Sequence, residues 1–63
     1  MSKRKINSAI KYLGLTVHGS YEENRFYFLD DNNNQCGGDV YVDYLNQLTV
    51  DQWVEIAILS KLG

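Results

Sequence analysis

The sequence predicts an α+β fold: a helix, a three-stranded antiparallel β-meander and a second helix, with both helices packed on one face of the sheet. Three observations predict it. Apolar residues recur at helical spacing over residues 3–13. Three runs of strand character follow, separated by polar, turn-forming stretches. Residues 48–53 then carry a nearly complete helix-start signal. At 63 residues the chain leaves no room for a second domain, so residues 1–63 are expected to form one.

The first helix is expected over residues 3–13. Ile6, Ala9, Ile10 and Leu13 fall at i, i+3, i+4 and i+7, a single apolar stripe. Gly14 follows as the residue free to take positive φ, and Leu15 behind it is placed to touch Ile10. Lys3, Arg4 and Lys5 oppose the helix dipole, which weakens the first turn.

Residues 15–18 alternate apolar and polar and read as a short strand. Residues 25–29, Arg-Phe-Tyr-Phe-Leu, are the strongest strand signal, and the more apolar Phe26 and Phe28 are expected to face the helices. Residues 30–38 are rich in Asp, Asn and Gly and read as a turn. Residues 39–45 alternate again, with Val40, Val42 and Tyr44 on one face and Tyr41 and Asp43 on the other.

In the second helix Thr49 is the N-cap and Gln52 stands three residues on, the capping-box spacing. Leu48 and Trp53 are placed for a hydrophobic staple, while Asp51 and Lys61 complement the dipole at the two ends. Val50, Trp53, Val54, Ala57, Ile58 and Leu62 are read as the core-facing stripe. Ile56 and Leu59 fall outside it, where a surface helix is normally polar, so the pair is the expected protein-contact surface.

Composition limits the function classes. Cys36 is the only cysteine, so no internal disulfide forms, and a lone thiol fits a reducing, cytoplasmic setting. No apolar run is long enough for a membrane span or a signal-peptide core. A chain this short buries about 60% of its unfolded surface, and self-association is the staple left to it once disulfide and metal are set aside. The net charge of −2 is uneven: Lys3, Arg4, Lys5 and Lys11 stand without an acid among residues 1–11, whereas all eight acids follow. That asymmetry points to a nucleic-acid or acidic partner at the basic end, or to a solvated terminus.

No constellation reaches catalytic or metal-binding specificity. Asp30, Asn32 and Asn34 stand at alternate positions like the first ligands of a calcium loop, but Gln35 and Tyr41 occupy the positions that require Gly and Glu. His18 and Cys36, each the sole residue of its type, cannot close a zinc site, and a nucleophilic pair would need a third group to orient the imidazole. No catalytic residue, metal or cofactor is therefore expected, and the chain reads as a non-enzyme. Tyr27 and Tyr41 on the open sheet face form a second candidate protein-contact surface. They also suggest base stacking, against which Asp30, Asp31, Asp39 and Asp43 would repel phosphates.

The segment Tyr44-Leu45-Asn46-Gln47-Leu48-Thr49-Val50-Asp51-Gln52-Trp53-Val54, with the aromatic strand at 25–29, resembles short uncharacterised bacterial and prophage-type proteins that carry a Leu-Asn-x-Leu-Thr-x-x-Gln-Trp pattern. The resemblance covers about half the chain and implies a helix cap rather than an activity. The expected function is a protein-binding module, self-associating or with another protein, through Ile56 and Leu59 with Tyr27 and Tyr41 as the second surface. The alternative is a nucleic-acid-associated protein using Lys3, Arg4, Lys5 and Lys11. A small inhibitor carried by a mobile element is compatible with the size and acidity.

Overall fold

The computed structural model describes residues 2–20 and 22–63. Helix α1 (Lys3–Ile10) tightens into a 3-10 turn at Lys11–Leu13, so the two together fill the expected span. The Ser2 hydroxyl caps α1 by accepting the Lys5 N–H at 3.4 Å, satisfying one of the unpaired donors of its first turn. Gly14 ends the segment at φ 71° with its N–H on the Lys11 carbonyl.

Strands β1 (Thr16–Ser20), β2 (Arg25–Leu29) and β3 (Gln35–Val40) form an antiparallel sheet in the order β1-β2-β3. Thr16 pairs with Leu29 and Ser20 with Arg25, which sends Val17, Phe26 and Phe28 to the helical side. A 3-10 turn at Leu45–Gln47 leads into α2 (Val50–Leu62). Both helices pack on the sheet and on each other.

Trp53 organises the core. It is fully buried and meets Phe26 and Phe28 edge-on, at centroid distances of 6.0 and 6.1 Å. Its indole N–H donates to the Leu45 carbonyl at 2.8 Å, so its one polar atom is satisfied. Ile6, Ile10, Leu15, Val17 and Ala57 complete the packing around this ring system. The capping box is formed in both directions: Thr49 Oγ1 accepts the Gln52 N–H at 3.1 Å, and Gln52 Oε1 accepts the Thr49 N–H at 2.9 Å.

Strand β1 runs beyond the expected residues 15–18, because Gly19 and Ser20 pair with Phe26 and Arg25. Two further elements differ from the sequence reading. Strand β3 begins at Gln35, whereas the sequence placed it at residues 39–45. The turn closes early because Asp30 Oδ1 accepts the Asn32 and Asn34 N–H groups at 2.8 and 3.0 Å, and Asn33 takes φ 63°. The β2–β3 pairing is then irregular: the step from Phe28 to Phe26 is matched by the longer step from Cys36 to Val40. Gly37 lies in that bulge at φ 73°, and a Cβ there would stand 2.6 Å from the Ser60 side chain. Glycine lets β3 approach α2 this closely. Val42 still reaches the core beyond the strand, but Tyr44 is exposed.

The second difference is the rotation of α2. Trp53, Ile56, Ala57 and Ser60 turn inward, the i, i+3, i+4, i+7 pattern with a small polar residue as its last member. Ser60 is accommodated because its hydroxyl donates to the Ile56 carbonyl at 2.8 Å. Ile56 therefore packs against the core, while Ile58 and Leu62, expected inside, face outward with Leu59.

Candidate functional site

The outer face of α2 is the first surface to consider. Ile58, Leu59 and Leu62 are 37%, 63% and 79% exposed, so the apolar character of this helix continues onto its solvent side. The 3-10 turn after α1 packs beside α2 and carries Tyr12, which is also exposed. Lys61 reaches across to donate to the Leu13 carbonyl, tying the end of α2 to that turn. Of the expected contact pair, Leu59 belongs to this surface and Ile56 does not.

The open face of the sheet is the second. Arg25 Nε lies 3.0 Å from Asp39 Oδ2, joining β2 to β3. The Arg25 guanidinium sits 4.6 Å from the centroid of the Tyr27 ring. His18 stacks on the same ring from β1 at 5.9 Å, and its Nε2 is 2.7 Å from Thr16 Oγ1. Asp39 also accepts from Gln35 Nε2 at 3.0 Å and from the Tyr41 hydroxyl at 3.3 Å. The hydrogen bond from Arg25 holds the Asp39 carboxyl below its ordinary range, and the same bond raises Arg25.

This network decides what Tyr27 and Tyr41 can do. Tyr27 is half-buried, with Arg25 and His18 already packed on its ring, so a base would have to displace one of them to stack there. Tyr41 is 71% exposed but lies just past the end of β3, with its hydroxyl directed to Asp39. Sequence alternation places Arg25 beside Tyr27, but their link to Asp39 and His18 depends on cross-strand register.

The basic residues divide in the same way. Lys3 is committed, donating to the Gly19 carbonyl at 2.6 Å. Arg4, Lys5 and Lys11 are exposed, and none has an ion-pair partner among the described residues. Arg4 and Lys11, with Asn7 and Ser8, form one wall of an open groove of about 500 Å³. The facing wall is Gly14, Leu15, Thr16 and Asp31. Sequence reading missed this groove because its second wall comes from the start of β1 and the β2–β3 turn.

His18 and Cys36 do not meet. His18 lies on the open sheet face from one edge strand, whereas Cys36, on the other, packs toward the core. Among the described residues no group of three His, Cys, Asp or Glu side chains is arranged to hold a metal ion. No helix among them is long and apolar enough to cross a membrane. No family model matches this chain, and no curated protein or solved structure does.

Proposed function

We propose that this chain is a non-enzymatic, self-associating protein-binding module that docks through the outer face of α2. The exposed trio Ile58, Leu59 and Leu62 carries the reading. Solvent-facing helix positions are normally polar, and a cluster of apolar side chains there gains by being covered. Covering it contributes roughly 25 cal/mol for each Å² of apolar surface removed from water. A 63-residue chain with no disulfide benefits from that contribution more than a larger domain does. The lone thiol of Cys36 fits a cytoplasmic setting.

Sedimentation equilibrium over a wide range of protein concentration tests this reading. The expected result is a mass rising toward twice that of the chain, and a Leu59→Glu/Leu62→Lys variant that stays at the single-chain mass with unchanged circular dichroism. A wild type that remains at the single-chain mass at the highest concentration overturns self-association.

One observation favours a second reading. Arg4 and Lys5 on α1, and Lys11 in the 3-10 turn after it, stand without ion-pair partners among the described residues, as phosphate-contacting side chains would. Nucleic-acid binding through them would be blind to sequence and would weaken with salt at a slope of about three phosphates. Fluorescence anisotropy of labelled DNA and RNA at low salt tests it, and unchanged anisotropy removes it.

A further inference from the structure

The groove between α1 and the start of β1 has an imbalance of hydrogen-bonding groups. Asn7 spends its carbonyl Oδ1 on the Val17 N–H, which leaves its amide N–H groups as donors at the groove wall. Arg4 adds its guanidinium and Lys11 its ammonium, neither of them paired within the described residues. Against these donors stands one carboxylate, Asp31, which makes no ion pair among the described residues. Asp31 sits by the Gly14 corner: its Oδ2 would lie 3.6 Å from a Cβ built on Gly14, with the Lys61 Nζ, committed to the Leu13 carbonyl, 3.5 Å from the same point. The aliphatic stems of Arg4 and Lys11 provide apolar surface between the charges. The volume of about 500 Å³ lies in the range of small-ligand sites.

We propose that this groove binds a small organic anion that also carries a hydrogen-bond donor. Its carboxylate or phosphate is held by Arg4, Lys11 and the Asn7 amide, and its amine or hydroxyl by Asp31. Asp31 is the selective element. It repels a plain polyanion and rewards a ligand whose donor reaches it. Lys5, equally exposed on the same helix, is not part of the groove wall and takes no part in binding.

Titration of the isotope-labelled protein with L-glutamate, glutarate and O-phospho-L-serine, followed by amide chemical shifts, tests the proposal. Glutarate is glutamate without the amine, and phosphoserine exchanges the side-chain carboxylate for phosphate. The expected result is saturable shifts confined to residues 4–16 and 31, with glutarate binding roughly threefold more weakly than the better amino-acid probe. Asp31→Asn should erase the preference over glutarate. Arg4→Gln/Lys11→Gln should weaken all three probes by about tenfold or more with the spectrum otherwise intact. Whichever of glutamate and phosphoserine binds more tightly identifies the anionic group. The proposal is overturned if no groove amide shifts at about 10 mM of any probe. Glutarate binding as tightly as the amino-acid probes, or Lys5→Gln weakening the probes as much as Arg4→Gln/Lys11→Gln, also overturns it. In the last case a short single-stranded oligonucleotide that shifts all three cations would assign the helix to phosphate-backbone contact instead.

Discussion

Asn7 Oδ1 accepts the Val17 N–H at 2.7 Å, so a helix side chain takes the place of a missing neighbour strand. β1 is an edge strand, and edge strands expose backbone groups that invite pairing with another chain. One turn earlier on α1, Lys3 covers the Gly19 carbonyl of the same strand. Together the two side chains block the β1 edge and fix α1 against it.

Replacing Asn7 with Ala leaves the Val17 N–H without this acceptor at a residue that is 2% exposed. The expected loss is about 1–3 kcal/mol in urea unfolding. Sedimentation of the variant should also show more high-mass species than wild type, because the edge is open. Unchanged stability would mean that water replaces the amide.

Trp53→Phe keeps a ring between Phe26 and Phe28 but removes the indole N–H donor to the Leu45 carbonyl and part of the ring volume. A loss of about 2 kcal/mol is expected from guanidinium unfolding followed by circular dichroism. Because Trp53 is the sole tryptophan, its fluorescence in the wild type reports on this one site. Emission characteristic of a dry, buried indole is expected, changing in a single step on unfolding.

Gly37 and Gly38 are adjacent but should respond oppositely to alanine. A Cβ at Gly37 would meet Ser60 at 2.6 Å and would have to tolerate φ 73°, so Gly37→Ala should cost about 1–3 kcal/mol. A Cβ at Gly38 would meet nothing within 4 Å, so Gly38→Ala should be neutral or stabilising by up to about 1 kcal/mol. Thermal unfolding of the two variants side by side distinguishes them. Equal losses would show that β3 does not approach α2 as described.

The Arg25–Asp39 pair predicts an acid-side dependence. Arg25, with Gln35 and Tyr41, lowers the Asp39 carboxyl in the folded chain below its ordinary value of 3.8. A carboxyl whose folded value is depressed contributes stability above its unfolded value, and that contribution is lost as pH falls through the folded one. Urea midpoints should therefore fall below about pH 4, and Asp39→Asn should flatten that part of the profile. Arg25 remains charged throughout the window. An Asp39→Asn profile that parallels wild type would assign the acid sensitivity to other carboxylates.

Local signals determined much of this protein from the sequence alone. The bounds of β2, the inward rings of Phe26 and Phe28, the reciprocal cap of Thr49 and Gln52 and the positive φ of Gly14 all rest on neighbours a few residues apart. Leu59 was likewise legible as an exposed apolar residue. Tertiary structure decided the features that depend on distant partners. Gly37 against Ser60 goes with a bulged β3 that starts earlier than its alternation suggests, and with a small residue on the inward side of α2. With Ser60 inside, Ile56 turns inward and Ile58 and Leu62 turn outward, so the exposed surface is not the one that periodicity marks. Strand register joins Arg25 to Asp39, and chain return builds the groove from α1, β1 and Asp31. A periodic pattern identifies a helix and the number of its apolar residues. Which of them are covered depends on the space left by the opposing strand, and no local spacing encodes that space.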